Sequence, residues 1–270
     1  MAQDARELLA QNDRALEDVV RVGVSLPGPL DRATGRVFHP ANLPGWKEVA
    51  VAEILAAQLG VPVQIENDAN SAALAEARFG AGQGFAHLVY LTMSTGIGGG
   101  LVLDGRLHAG HRHAAGEIGH TPVEWPGEAC ACGLSGCLEA YAGGAAWQRR
   151  LRQISPEDGE VAKRAGGRDR VTPEHAVAAA RAGDPFARGE IERITDYLAR
   201  AIVTLQFTLA PDVIVLGTIA VAAGEELFVS PLREKVRAGC WPEPKTSTAA
   251  LRLASLGEDL AYRAGLCAAG

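Results

Sequence analysis

The chain has 270 residues, 47% of them hydrophobic and 21% charged, and a formal net charge of −6. That balance excludes a disordered chain, and the acidic sign excludes a broad electrostatic footprint for nucleic acid or anionic membrane. There is no run of 18 uninterrupted apolar residues and no positive-then-apolar start, so neither a membrane span nor a signal peptide is expected and the predicted compartment is the cytoplasm.

In chain order, residues 4–20 read as a helix, with Leu8, Leu9, Leu16, Val19 and Val20 forming an apolar stripe. A short strand over 20–26 is ended by Pro27-Gly28-Pro29. A helix over 46–59 is stopped by Gly60. A strand over 61–65 is followed by a helix over 69–79 and an apolar strand over 86–92. Residues 99–103 and 106–109 flank Asp104-Gly105, a strong hairpin signal. Residues 111–144 read as a loop that holds most of the polar chemistry, and 156–170 as an exposed connection. Helices are expected over 173–182 and 185–209, a strand over 212–216, a helix over 225–238, a strand over 251–255 and a last helix from Glu258. Strands alternating with helices predict α/β architecture.

The chemistry concentrates in three places. Thr95-Gly96-Ile97-Gly98-Gly99-Gly100 follows an apolar strand, where bare backbone N–H groups can converge on an anion. It is neither a Walker A loop nor a dinucleotide fingerprint, because a hairpin follows and no Gly-Lys-Ser/Thr is present. The glycine pattern alone fits a phosphate-binding hairpin and a tight bend in a twisted sheet equally well. Asn67-Asp68-Ala69-Asn70 sits where a strand passes into a helix. Asp and Asn are ordinary helix caps, but ligands of α/β sheets bind at that strand end, and a carboxylate there can take a proton from a hydroxyl. Third, His120 with Cys130, Cys132 and Cys137 offers one imidazole and three thiolates, the donor set of a closed, structural zinc site. Glu117 and Glu139 bracket that segment, and a zinc-braced loop would preorganise them to accept hydrogen bonds from sugar hydroxyls. His111 and His113 read as polar surface or as support behind the site, with contact to a ligand as the lesser alternative.

Taken together, Gly23-Val24-Ser25-Leu26-Pro27-Gly28-Pro29-Leu30-Asp31, Glu66-Asn67-Asp68-Ala69-Asn70, the glycine run from Ser94, Gly116-Glu117-Ile118-Gly119-His120 and the Cys130–Glu139 run resemble the ROK sugar kinases in order and spacing. The resemblance spans nearly the whole chain. It implies an α/β, actin-like ATPase-domain (ribonuclease H-like) fold with two lobes, here 1–68 with 258–270 as the small lobe and 69–257 as the large one. It implies ATP-dependent phosphorylation of a hexose or N-acylhexosamine. By that likeness Asp68 is the base, Asn67, Glu117, His120, Glu139 and Gly28 bind sugar, and Thr95, Gly96, Gly98 and Gly217 approach the nucleotide. His120, Cys130, Cys132 and Cys137 hold Zn²⁺, ATP comes with Mg²⁺, and a homodimer is the family default. Sugar choice is expected in the loops around Pro40-Ala41-Asn42 and Gly144.

Three departures stand out. No Asp-x-Gly-Gly-Thr phosphate motif occurs, which implies an incomplete N-terminal lobe, an open edge on the strand near Val22, and weak or absent turnover in this chain. Ser94 and Thr218 stand where the family commonly has glycine, which narrows the nucleotide side. A zinc-stabilised sugar-binding protein without phosphoryl transfer is the alternative expectation. A repressor of the same family is a third, set aside because the sequence has no helix-turn-helix.

Overall fold

A computed structural model describes residues 1–40, 43–242 and 248–270, with the side chain of Arg112 left aside. Ala41 and Asn42, expected to bear on sugar choice, lie outside the described residues.

The first helix, α1 (Ala2–Gln11), is shorter than the expected 4–20. Asp13 takes a left-handed backbone (φ 52), which interrupts the helix, and only a 3₁₀ turn at Leu16–Asp18 follows. Strand β1 (Val22–Leu26) pairs in parallel with β5 (Val63–Asn67), Val24 opposite Ile65. Pro62 lacks an N–H but its carbonyl accepts from the Val22 N–H at 2.9 Å, so the proline sits just ahead of the ladder. Between these strands lie β2 (Leu30–Asp31), β3 (Arg36–Phe38) and β4 (Glu48–Val49), a small antiparallel sheet that sequence reasoning did not find. Glu48 and Val49 belong to that sheet, so α2 (Val51–Leu59) starts later than the expected 46. Gly60 (φ 74) ends it, as anticipated. Val24, Leu26, Val37, Val51, Leu55 and Ile65 form the core of this region.

Helix α3 (Asp68–Phe79) leads into a five-stranded sheet built from β6 (Leu88–Met93), β7 (Ile97–Leu103), β8 (Arg106–Leu107), β9 (Val213–Leu216) and β10 (Ala250–Leu253). The order is β10-β9-β6-β7-β8, parallel across β10-β9-β6 and antiparallel through the β6-β7-β8 meander. Asp104 (φ 51) and Gly105 (φ 70) both take positive φ, the turn their sequence demanded. Every residue of β9 is buried, which explains its uninterrupted Val-Ile-Val-Leu run.

The remaining helices are α4 (Leu138–Ala142), α5 (Gly144–Ile154), α6 (Glu160–Ala165), α7 (Pro173–Arg181), α8 (Pro185–Leu209), α9 (Ile219–Gly224), α10 (Ser230–Gly239) and α11 (Asp259–Ala269). Two expectations are corrected here. The supposed exposed connection over 156–170 contains α6, whose Val161 and Ala162 are buried against the main core. The supposed single helix over 225–238 is a π turn at Glu225–Val229 followed by α10. The bounds of α8 match the expected 185–209: Asp184 accepts the Ala187 N–H at 2.8 Å and Pro185 occupies the first turn. Helix α11 lies directly on β1. A side chain at Gly23 would collide with the backbone of Gly265 and Ala269, so this glycine sets the close approach of the first strand and the last helix. No helix of the described residues is long and apolar enough to cross a membrane.

Candidate functional site

The site grows from the junction of β5 and α3. Asn67 caps α3: its Oδ1 accepts the N–H groups of Ala69 (2.9 Å) and Asn70 (3.2 Å). The cap consumes the oxygen and leaves Nδ2 facing Gly28, where a Cβ would lie 3.3 Å away. One residue therefore serves the helix and still offers a donor outward. Glu66, 1% exposed, anchors this junction. Its Oε2 pairs with Arg32 at 3.0 Å, and its Oε1 accepts the Asn67 N–H and the Asn70 Nδ2, each at 3.0 Å. Asp68 follows Asn67 as the first residue of α3. Asp68 is solvent-exposed, but partial desolvation by its packed surroundings holds its carboxyl above the ordinary aspartate value of 3.8, against the opposing pull of the Ala69 N–H and of its own N–H. A base at raised pKa is a better proton acceptor from a hydroxyl once ionised.

Gly28, Pro29, Glu66, Asn67, Asn70, Gly98, His113 and Glu117 are among the walls of a cavity of about 190 Å³. A second cavity of about 350 Å³ is lined by Thr95, Gly96, His120, Cys130, Cys132 and Glu139, with Arg149. Glu117 and His120, 4.0 Å apart at Oε2 and Nε2, lie one on each. Glu139 reaches over the glycine loop: its Oε2 accepts the Ile97 N–H at 2.8 Å, and a side chain at Gly96 would collide with that carboxylate. Asp68 is on the wall of neither cavity. It is the neighbour in sequence of Asn67, which is.

A ring nitrogen of His120 and the sulfurs of Cys130, Cys132 and Cys137 all lie within 4.8 Å of one another. Cys130 Sγ is 3.9 Å from His120 Nδ1, and the Cys132 and Cys137 sulfurs are 3.8 Å apart. Tetrahedral zinc with bonds of about 2.0–2.3 Å requires ligand-to-ligand edges close to these, so the donor set and its spacing fit the ion. The turn that gathers the thiols depends on Gly133 (φ 91) and Gly136 (φ 78). With Nδ1 turned to the sulfurs, His120 Nε2 is left for Glu117 and the cavities.

A third cavity, of about 610 Å³, is lined by Ser94, Thr95, Gly144, Gln148, Glu174, Val177, Thr218 and Ile219, among others. Ser94 does stand on its wall. Thr218 does too, and its Oγ1 accepts the Met93 N–H at 2.9 Å, so the hydroxyl ties β6 to the turn after β9. Thr218 holds φ 51, a strained value for a β-branched residue. Gly217 is not on that wall. A side chain there would meet the Tyr90 hydroxyl at 2.5 Å, which accounts for the glycine by packing. Sequence reasoning gave Glu66 and Asn70 no individual role within their motif and passed over Gln148 and Glu174. Only the polar cluster Glu66 to Asn70 carried a signal, and Gln148 and Glu174 are ordinary surface-type residues until the fold brings α5 and α7 to one hollow.

Comparison with known proteins decides the lineage: the ROK family's sequence profile matches residues 1–266. The chain belongs to the ROK family. It has the actin-like ATPase-domain fold of ROK sugar kinases, with the mixed sheet described above. A Thermotoga maritima protein named glucokinase is 42% identical over 222 residues, covering 82% of this chain and 70% of that one. A ROK hexokinase structure from Thermus thermophilus is 35% identical, covers 99% of this chain and 84% of that one, and superposes with a TM-score of 0.79. A ROK family glucokinase from Streptomyces griseus, solved with glucose and AMPPNP, is 29% identical, covers 99% of this chain and 86% of that one, and superposes with a TM-score of 0.83.

Proposed function

We propose that this ROK protein is an ATP-dependent, glucokinase-like sugar kinase that transfers the γ-phosphoryl group to a hexose hydroxyl. The observation that carries the reading is the course of the glycine loop. Thr95 lines the 610 Å³ cavity, Gly96 the 350 Å³ cavity and Gly98 the 190 Å³ cavity, so one short run of backbone links a hollow of nucleotide size to the two hollows that carry Asn67, Glu117, His120 and Glu139. In this reading the adenosine end of ATP, carried with Mg²⁺, occupies the first, and its phosphates run along Thr95, Gly96 and Gly98. Asn67, Glu117, His120 and Glu139 hold sugar hydroxyls, with Gly28 giving the sugar room. Asp68 removes the proton of the attacking hydroxyl, whose oxygen forms the bond to phosphorus while ADP departs. Positioning and charge stabilisation supply most of the rate.

Zinc on His120, Cys130, Cys132 and Cys137 is structural here: four protein ligands leave no open position for chemistry. Helix α11 packs on β1 and also on α3, and the grouping of 258–270 with 1–68 as one lobe against 69–257 is part of this proposal. The test is incubation with MgATP and a panel of glucose, mannose, N-acetylglucosamine and N-acetylmannosamine, read by mass spectrometry of the sugar and by ADP release. A sugar phosphate formed in step with ADP is the expected result, at a rate well below an ordinary kinase's, as the lack of an Asp-x-Gly-Gly-Thr run in this sequence implies. Sugar binding without any ADP release would contradict the kinase reading and favour a sugar-binding protein.

A further inference from the structure

Helix α5 carries three arginines, and two of them are tied down. Arg150 holds Glu190 through three hydrogen bonds of 3.0–3.1 Å, and Arg152 donates to the Val171 carbonyl at 3.0 Å. Arg149 is exposed and makes no hydrogen bond, ion pair or ring contact among the described residues. Its place is set by the start of the helix. The N–H groups of Gly144 and Ala145 donate to the carbonyls of Ser94 and Thr95 at 2.9 and 2.8 Å, and a side chain at Gly144 would collide with the Ser94 carbonyl, so α5 is seated directly on the glycine loop. Arg149 follows Ala145 by four residues and stands on the same helix face, and long helical side chains lean back towards the N-terminus. Ala145 and Ala146 are too small to fill that face, and both line the 350 Å³ cavity with Arg149, Thr95 and Gly96.

Charge singles out the same residue. The walls of the three cavities carry the carboxylates of Glu66, Glu117, Glu139 and Glu174, and Arg149 is the one arginine or lysine among their described residues. A polyanionic phosphate chain entering such walls needs positive charge, and a planar guanidinium grips phosphate oxygens in a fixed fork. The 350 Å³ cavity shares Thr95 with the hollow of nucleotide size and also holds His120 and Glu139, sugar ligands in the reading above, so it lies where the end of the phosphate chain meets the sugar. We infer that Arg149 is a catalytic residue that binds the γ-phosphoryl group of ATP and steadies its charge during transfer. The inference rests on the sugar-kinase reading above. Arg149 exchanges no proton: the sugar oxygen bonds to phosphorus, the bond to the ADP oxygen breaks, and Asp68 takes the hydroxyl proton.

Titration calorimetry of Mg-AMPPNP and MgADP with the wild type, Arg149→Met and Arg149→Lys tests the assignment without relying on turnover, because the two nucleotides differ in the terminal phosphate. Arg149→Met, which keeps the length of the stem, weakens AMPPNP binding about 10–100-fold and leaves ADP binding unchanged. Arg149→Lys, which keeps the charge and loses the fork, recovers part of the difference. The side chain has no partner to lose within the protein, so both variants melt with the wild type, and Arg149→Ala serves if the methionine variant does not fold. A loss for ADP equal to or greater than that for AMPPNP, or no loss for AMPPNP, overturns the role of Arg149 while leaving the kinase reading intact. Failure of the wild type to bind any adenine nucleotide removes both.

Discussion

Asp68 carries the greatest chemical weight of any single residue. Its carboxyl is raised by partial desolvation, and two consequences of opposite kind follow. As the proposed base it must be ionised, so the acid limb of kcat is expected above the ordinary aspartate range. For stability the sign is also fixed. Between the ordinary value and the raised one, the folded state keeps a proton that the unfolded state has released, so stability falls as pH rises through that window. Asp68→Asn therefore loses phosphorylation by roughly 10²–10⁴-fold, with at most a slight gain in thermal stability at neutral pH because the side chain is solvent-exposed. A pH–rate profile and thermal melts of both proteins check the pair of effects. Unchanged kcat in the variant would remove Asp68 as the base. Gly96 offers a second residue-level test. Gly96→Ala drives Glu139 off the Ile97 N–H, and we expect hexose affinity to fall about 5–50-fold, the loss of one charge-assisted hydrogen bond with its geometry, in a protein that still folds. Titration calorimetry measures this.

At the scale of elements, the His/Cys turn and the cap of α3 are the parts most legible in the sequence. Cysteines at that spacing with glycines between them, followed along the chain from a histidine, leave few alternatives, and the four donor atoms do converge. Cys132→Ser removes one ligand, so the protein should be isolated with well under one zinc per chain, melt several degrees lower and bind glucose less tightly through the loosened Glu117–His120 turn. Elemental analysis, a thermal scan and calorimetry would show it; full zinc content with an unchanged melt would contradict the assignment. The small sheet β2-β3-β4 was not legible, because strands of two or three residues carry no periodicity of their own. Helix α6 was hidden by a charged, glycine-containing stretch whose burial of Val161 and Ala162 depends on distant packing.

Across the whole molecule, the sequence pointed to the α/β class and, through its motifs, to the ROK family, but the strand order and the relation of the three cavities came only from the structure. Alternation of strands and helices leaves topology open, whereas the order β10-β9-β6-β7-β8 brings the glycine loop between β6 and β7 beside the turn after β9. That neighbourhood is what links a hollow of nucleotide size to the polar cluster at Asn67 and Glu117. The central claim is that this arrangement holds a hexose hydroxyl in front of Asp68. A crystal structure of the protein with glucose and a non-hydrolysable ATP analogue tests it most directly. The account predicts one glucose hydroxyl within about 2.6–3.2 Å of the Asp68 carboxylate, others on Asn67 and Glu117, and the terminal phosphate beside Gly96 and Gly98. Glucose seated elsewhere, or bound with every hydroxyl out of reach of Asp68, would contradict it.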